Sequence, residues 1–194
     1  MNDTEIFVRT IAETIALHER AAESRQMVVD AAHAIVDAIR GGGKVLLFGN
    51  GGSAADAQHM AAELVGRFER ERRGLPALAL STDSSVLTAI GNDYAFDQVF
   101  ARQIEALGRR GDVAIGISTS GRSSNVVKAL RAAREAGLRT VAFTGRQGGE
   151  VGAAADIHVN VRSESTARVQ EVHRTLLHVM CELVERAFDE REPR

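Results

Sequence analysis

The sequence predicts an α/β protein built around a doubly wound parallel sheet of five strands. Short apolar runs alternate with amphipathic segments along most of the chain, which is the pattern of repeated strand–helix units. Several of these runs end in glycine- or serine-rich turns, and a predicted helix follows the turn. The run from Val45 to Phe48 is apolar throughout, as expected for a parallel strand that is covered on both faces.

Size and composition indicate one globular domain, residues 1–194. Of these 194 residues, 44% are hydrophobic and 26% charged, which suits a single α/β core. The formal net charge of -2 provides no basic field for nucleic acid. No apolar run approaches the roughly 20 residues that span a bilayer, and the first ten residues lack the pattern of a signal peptide. We therefore expect neither nucleic acid nor membrane as a partner.

The cysteine content indicates the compartment. Cys181 is the only cysteine, so no internal disulfide can form, and a reducing cytoplasm is the simplest location. Its apolar helical neighbours favour a thiol in the core over a nucleophile.

Two helices are predicted ahead of the sheet, between residue 3 and about residue 40. One apolar stripe has Ile6, Ile11, Ile15 and Leu17; a second has Met27, Val28, Ala31, Ile35 and Ile39. The sheet does not require both helices. We therefore expect residues 1–41 to form a helical hairpin that contributes to an oligomer interface.

The first predicted strand is followed by the turn Gly49-Asn50-Gly51-Gly52-Ser53. Its glycines allow a tight turn and a close approach of the backbone to a ligand. Ser53 and Asp56 match a capping box, which predicts that the helix begins at Ser53. The exposed N–H groups of such a helix start suit a phosphate or sugar oxygen. The alternative is that the turn is only a tight strand–helix connection.

His59 and Glu63 follow on this helix with i,i+4 spacing. This spacing places both on one face, next to the glycine turn, where they are candidates for acid, base or metal ligand. The alternative is a solvated surface pair, which is the commoner outcome for such spacing.

The middle of the chain contains further elements. We expect Glu69–Arg73 to be a solvated loop, because it is a run of charges. Serine and aspartate at residues 81–85 predict a helix cap. The remaining predictions are a strand at Ala77–Leu80, a helix through Ile90 that Gly91–Tyr94 breaks, a helix at Phe96–Leu107 and strands at Val113–Ile117, Thr140–Thr144 and Ile157–Val161.

A second candidate anion site follows the third predicted strand, at Ser118–Asn125, ahead of a helix at Val126–Ala136. Hydroxyls and backbone N–H groups at a helix start can hold phosphate without a lysine. A helix cap needs only one hydroxyl, and this segment has five within seven positions. We therefore favour anion binding over simple capping.

The last predicted helix runs from about Thr166 to Phe188. Its buried stripe is Val169, Val172, Leu176, Met180, Leu183 and Ala187. Gln170, His173 and His178 lie off that stripe. Gln170 and His178 are eight residues apart, a little over two turns, so they can face roughly one side.

These motifs together resemble those of the phosphoheptose isomerases, which have the sugar-isomerase (SIS) fold, a flavodoxin-like arrangement. The resemblance covers nearly the whole chain in the family's order. It rests on Gly49-Asn50-Gly51-Gly52-Ser53, His59-x-x-x-Glu63, Gly91-Asn92-Asp93, Ser118-Thr119-Ser120-Gly121, Thr144-Gly145 and Gln170-Glu171-x-His173.

The resemblance implies conversion of sedoheptulose 7-phosphate to D-glycero-D-manno-heptose 7-phosphate, for heptose of lipopolysaccharide or other surface glycans. It implies a cytoplasmic homotetramer with active sites at subunit interfaces. Carried over, the phosphate ligands are Ser118, Thr119, Ser120 and Ser123; the substrate chain contacts Asn50, Gly51, Gly52, Ser53, Glu63, Asn92, Asp93 and Gln170; one zinc ion per subunit is bound by His59, Glu63, Gln170 and His178. Some members of the family have an acidic residue near position 167, where this chain has alanine.

Aldose–ketose isomerisation through an enediol needs a base near the reacting carbons and an acid or metal at the carbonyl oxygen. We assign Glu63 as the base and His178 as its partner acid. The same two side chains are candidate zinc ligands, and the sequence leaves open which role dominates.

Two non-enzymatic alternatives remain. SIS proteins that associate with the bacterial replication initiator share the segments Arg67–Arg72 and Ala79–Asp93, but they lack the catalytic carboxylate and second histidine. Glu63 and His178 are both present here, which favours the enzyme. The second alternative is a sugar-phosphate sensor that binds without turnover.

Overall fold

The fold is a three-layer α/β arrangement around one parallel sheet, as predicted. The structure is a computed structural model, which describes residues 1–189. Five parallel strands lie in the order β2-β1-β3-β4-β5. They are β1 (Val45–Gly49), β2 (Ala77–Ala79), β3 (Val113–Ser118), β4 (Arg139–Gly145) and β5 (Ile157–Val161).

Helices cover both faces of the sheet. They are α1 (Asp3–Ala21), α2 (Arg25–Arg40), α3 (Gly52–Val65), α4 (Ser84–Asp93), α5 (Ala101–Leu107), α6 (Ser124–Glu135), α7 (Gly149–Ala153) and α8 (Thr166–Ala187). Successive side chains of a strand point to opposite faces. Accordingly Leu47 packs with the core beneath α2, α3 and α8, whereas Leu46 and Phe48 pack with the core beneath α5 and α6. Within residues 1–189 no helix is long and apolar enough to cross a bilayer.

The two N-terminal helices have opposite relations to the core. The apolar stripe of α2 is buried from Val28 to Ile39, whereas Leu17 is the one buried residue of α1. α1 instead meets α8 through polar groups: Thr14 Oγ1 lies 3.0 Å from Glu171 Oε2, and His18 Nε2 lies 3.0 Å from Thr175 Oγ1. Much of the predicted apolar stripe of α1 therefore stays exposed.

Several predicted boundaries were wrong. α6 begins at Ser124, two residues before the predicted start at Val126. α3 begins at Gly52, and its N-cap Gly51 has a φ of 57°, so Ser53 lies inside the first turn and caps nothing. α4 continues through Gly91 to Asp93, because one glycine costs only about 1 kcal/mol in a helix. The predicted helix at Phe96–Leu107 is a 3-10 turn at Phe96–Gln98 followed by α5.

The charged segment Glu69–Arg73 is not a freely solvated loop. The side chain of Arg72 is 1% exposed, as is that of Glu185 on α8, and the two groups form an ion pair. A long charged side chain is almost never fully buried unless it is paired, and a run of charges in the sequence does not reveal a partner that lies more than a hundred residues away.

His173 is wholly buried rather than lying off the packed face of α8. Its Nε2–H donates to the backbone carbonyl of Thr144 at 3.0 Å, and its ring meets Phe143 edge-on. Because a carbonyl only accepts, Nε2 carries the proton of the neutral ring. Burial lowers the pKa of His173 to about 4, although the Thr144 hydrogen bond and the nearby Asp56 act in the opposite direction.

We expect this histidine to make stability depend on pH between about 6.5 and 4. Its pKa is lower in the folded than in the unfolded state, so the unfolded state takes up the proton first and stability falls as pH decreases. A pKa difference of one unit corresponds to 1.36 kcal/mol, so the loss in free energy of unfolding approaches about 3 kcal/mol at pH 4. Urea unfolding at a series of pH values measures it.

His173→Gln should reduce this dependence of stability on pH. A smaller dependence should remain from His158, because burial lowers the pKa of His158 as well. His33, exposed on α2, supplies the control: His33→Gln should keep the wild-type slope. A wild-type slope in His173→Gln would contradict this account.

Candidate active site

The candidate site lies at the carboxyl ends of β1 and β3, where the strand order reverses. These neighbouring strands run in register from Val45 and Val113 to Gly49 and Ile117. The turn after β1 is joined to the first turn of α6 by a reciprocal amide pair: Asn50 Nδ2 donates to Asn125 Oδ1 at 2.9 Å, and Asn125 Nδ2 donates to Asn50 Oδ1 at 2.8 Å. Open α/β sheets bind ligands at such a reversal point.

The hydroxyl-rich segment after β3 forms a compact cluster. Ser118 Oγ lies 2.9 Å from Ser123 Oγ and 3.3 Å from Ser120 Oγ. Ser123 occupies the N-cap position of α6, yet its side chain makes no capping hydrogen bond. The helix N-terminus is therefore not closed by a side chain, which favours anion binding over capping.

Gly121 shapes this loop. Its φ is 68°, and a Cβ there would lie 2.3 Å from the carbonyl oxygen of Gly148. A larger residue would strain the backbone and displace the neighbouring turn. Gly121 therefore lets the loop fold tightly against the segment after β4.

His59, Glu63 and His178 converge between α3 and α8. His59 Nε2 lies 2.8 Å from His178 Nε2 and 3.4 Å from Glu63 Oε1. The side chains of His59 and Glu63 are 40% and 22% exposed, so the cluster is partly buried and open to a ligand. The i,i+4 pair on α3 is therefore not an isolated surface pair, because His59 also contacts His178 on α8.

Gln170 lies on α8 about two turns before His178, and like His178 it faces α3. A Cβ on Gly52 would lie 2.4 Å from Gln170 Nε2, so the amide packs directly on the start of α3. The predicted facing of Gln170 and His178 toward one side is confirmed, because the first meets the start of α3 and the second meets His59.

Two further residues join the site without having been predicted from the sequence. The Phe68 ring stacks on His178 with centroids 5.4 Å apart and an interplanar angle of 28°, and Asn125 pairs with Asn50. Asn125 was included in the hydroxyl-rich segment but given no role. The sequence contains no spacing signal for Phe68, because its partner is 110 positions away.

Asn92 and Asp93 lie apart from the other predicted residues. Both are exposed at the end of α4, where Asn92 Nδ2 donates to Asp93 Oδ1 at 2.8 Å. Across residues 1–189, no hydrogen bond or ion pair links them to the turn after β1 or to the hydroxyl cluster. Within one chain they do not complete the site.

The donor atoms suit zinc in kind, but their present geometry is that of a hydrogen-bonded pair. Within residues 1–189 no group of three or more His, Cys, Asp or Glu side chains is arranged to hold a metal ion. The 2.8 Å between the two imidazole nitrogens is shorter than the roughly 3.3 Å that separates two nitrogens on one tetrahedral zinc. The rings must move apart before both can bind the same ion.

A separate groove of about 1090 Å³ lies at the opposite, amino-terminal edge of the sheet, lined by residues that include Lys44, Asp112 and Asp156. Some of its charged groups are paired with one another, for example Lys44 with Asp112 and Arg134 with Asp156. We place the site at the carboxyl edge, because the candidate acid–base groups and the open helix N-termini are there.

Comparison with known proteins identifies the family of this chain. The SIS domain family model matches residues 9–145. A phosphoheptose isomerase of Roseiflexus sp. (strain RS-1) is 55% identical over 188 residues, 96% of this chain and 95% of the relative. The phosphoheptose isomerase of Aquifex aeolicus (strain VF5) is 60% identical over 166 residues, 86% and 87% of the two chains.

A solved structure extends the similarity to the fold. Phosphoheptose isomerase GmhA from Neisseria gonorrhoeae superposes with a TM-score of 0.90 at 46% identity, covering 95% of this chain and 100% of that one. By sequence and fold, this chain belongs to the phosphoheptose isomerase family of SIS-domain proteins.

Proposed function

We propose that the chain is a phosphoheptose isomerase that converts sedoheptulose 7-phosphate to D-glycero-D-manno-heptose 7-phosphate. The observation that carries the proposal is the contact of His59, on the helix that follows the turn after β1, with both Glu63 and His178. Relatives at 55% and 60% identity that bear the name phosphoheptose isomerase support it.

The reaction is an internal redox exchange between two carbons. A base removes a proton from C1 of the ketose, and the electron pair of that C–H bond forms the C1–C2 double bond of an enediol as the C2 carbonyl oxygen takes a proton. Return of a proton to C2, with loss of the C1 hydroxyl proton, leaves an aldehyde at C1. A carboxylate and an imidazole acid suffice for these transfers.

In this proposal Glu63 transfers the proton at carbon, and His178 transfers the proton at the carbonyl oxygen. His59 Nε2 lies between them, 3.4 Å from the carboxylate and 2.8 Å from the second imidazole. In the neutral pair only one of the two facing nitrogens carries the proton. His59 is thus placed to orient both groups.

The phosphate is assigned to Ser118, Thr119, Ser120 and Ser123, at the uncapped start of α6. Asn50, Gly51, Gly52 and Ser53 are assigned to the sugar chain. His59 follows Gly52 by seven residues, about 10 Å along α3. This separation suits a seven-carbon substrate whose phosphate lies at the sheet edge and whose carbonyl lies at the histidines.

A zinc ion is proposed at His59, Glu63, Gln170 and His178. The chemistry of the donors supports it, since imidazole and carboxylate are ordinary zinc ligands. Zinc bound there would polarise the carbonyl oxygen. Gln170 also has a role without metal, because its amide lies on the turn that receives the sugar.

A homotetramer with active sites at subunit interfaces is proposed from the exposed side of α1. Five large apolar residues of α1 are 43–67% exposed: Ile6, Phe7, Val8, Ile11 and Ile15. Exposed apolar patches mark interaction sites. A neighbouring subunit also offers a reason for the isolated position of Asn92 and Asp93. A cytoplasmic location and a role in lipopolysaccharide or other surface-glycan synthesis belong to the same proposal.

Turnover of sedoheptulose 7-phosphate by the purified, zinc-supplemented protein tests the function directly. We expect Glu63→Gln to lower kcat by about 10²- to 10⁴-fold, the usual contribution of general acid–base catalysis, with substrate affinity changed only a few-fold. A coupled aldose assay gives kcat, and calorimetric titration gives affinity.

Glu135→Gln, an exposed carboxylate at the end of α6, serves as control and should match wild type. Near-normal activity in Glu63→Gln would remove Glu63 from the mechanism. Binding without turnover by the wild-type protein would instead favour a sugar-phosphate sensor.

For the phosphate loop, we expect the double variant Ser120→Ala/Ser123→Ala to raise KM by tenfold or more while kcat changes less than about threefold. A hydrogen bond to a charged group contributes about 1.5–3 kcal/mol, and the phosphate is remote from the reacting carbons. Steady-state kinetics measures both constants. Ser24→Ala, at the α1–α2 junction, is the control; an unchanged KM in the double variant would place the phosphate elsewhere.

For the oligomer, the double variant Ile11→Glu/Ile15→Glu should shift the mass in solution from four chains toward one. Placing two carboxylates within an apolar interface leaves charges without partners. Light scattering after size exclusion measures the mass. Ala16→Glu, exposed but off this stripe, should keep the wild-type mass, and an intact tetramer in the double variant would rule out this face of α1.

A further inference from the structure

We infer that the buried ion pair of Arg72 and Glu185 is a positioning device for the reaction, holding Phe68 against His178 and fixing the end of α3 that carries Glu63. The inference rests on the proposed isomerase function. Neither residue belongs to the catalytic or binding set assigned above, and both side chains are only 1% exposed.

Glu185 holds the loop that carries Phe68. Its Oε1 accepts the backbone N–H of Phe68 at 3.0 Å, and its Oε2 accepts those of Glu69 and Arg70 at 2.8 and 2.7 Å. Three consecutive N–H groups thus converge on one carboxylate. Burial raises the pKa of Glu185, but these hydrogen bonds and Arg72 outweigh burial, so that the pKa is lowered and the charge is retained.

Arg72 holds the end of α3. Its Nη2 donates to the carbonyl of Glu63 at 2.7 Å, and its Nη1 donates to the carbonyl of Leu64 at 2.9 Å. Further Nη1 contacts reach the carbonyls of Gly66 and Arg73 at 2.9 and 3.0 Å. The carbonyls at a helix end have no partner within the helix, and the cation supplies one.

The pair joins these two anchors. Arg72 Nε lies 3.3 Å from Glu185 Oε1, as an ion pair without hydrogen-bond geometry. Glu185 follows His178 by seven residues on α8, so both lie on nearly one side of that helix, two turns apart. The backbone of Glu63 and the ring on His178 are therefore fixed through the same two charges.

This arrangement suits positioning better than stability alone. A buried ion pair is weak evidence of stabilisation, because its desolvation penalty offsets the attraction between the charges. Its value here is directional: each charge holds several backbone groups at defined distances. Displacing a reacting group by about 1 Å can cost about a hundredfold in rate.

The test compares kcat, KM and the Phe68–His178 contact in Glu185→Gln. The amide keeps the shape but turns an N–H₂ group toward backbone N–H donors. We expect kcat to fall at least tenfold with KM changed less than threefold. We also expect loss of the ring-current shift of His178 in NMR spectra and faster amide exchange at residues 68–70.

Asp112→Asn is the matched control. Asp112 is also a buried carboxylate, which accepts the backbone N–H groups of Lys44 and Arg109 at 2.9 Å each and pairs with Lys44 Nζ, but it lies at the amino-terminal edge of the sheet. Asp112→Asn should lower the midpoint temperature of thermal unfolding without changing kcat at temperatures where the protein is folded.

Two more variants keep the inference testable if Glu185→Gln does not fold. Phe68→Leu leaves both anchors in place and should itself lower kcat at least tenfold. Arg72→Lys keeps the positive charge but removes the guanidinium group that donates to several carbonyls, and it should lower kcat with little change in KM.

Wild-type kcat in Phe68→Leu and Arg72→Lys, or an unchanged His178 shift together with wild-type kcat in Glu185→Gln, would overturn the inference. Failure of the wild-type protein to turn over the substrate would instead contradict the function. In that case the ring-current and exchange measurements still decide whether the pair holds Phe68 on His178.

Discussion

The contact between His59 and His178 is the interaction on which the site depends. It joins the middle of α3 to the middle of α8 at 2.8 Å, and Glu63 reaches the same imidazole from one turn along α3. The proposed base, Glu63, lies on α3, and the proposed acid, His178, lies on α8. The proposed chemistry therefore depends on the packing of two helices that are about a hundred residues apart in the sequence.

The sheet makes that packing possible. Parallel strands in the order β2-β1-β3-β4-β5 bring the turn after β1 beside the start of α6, where Asn50 and Asn125 pair. Two helix N-termini without side-chain caps begin at this edge. α3 then runs from the edge to the histidines, so one helix connects the place that suits an anion with the place that suits proton transfer.

Much of this could be predicted from local patterns. The alternation of strands and helices gives the fold class, and the spacing of His59 and Glu63 places them on one face. Long-range contacts could not be predicted in the same way. The stacking of Phe68 on His178 and the pairing of Arg72 with Glu185 join residues more than a hundred positions apart, and the charged residues around Arg72 looked like a solvated loop. His173 was misplaced because its hydrogen-bond partner, the Thr144 carbonyl, lies 29 positions away in the sequence.

The most direct test of proton transfer at carbon is the reaction in D₂O, followed by NMR with sedoheptulose 7-phosphate as substrate. An enediol route in which the proton on Glu63 exchanges with solvent predicts an aldose that carries deuterium at C2. Aldose formed with the original hydrogen alone at C2, or no aldose from zinc-supplemented protein, would contradict the account.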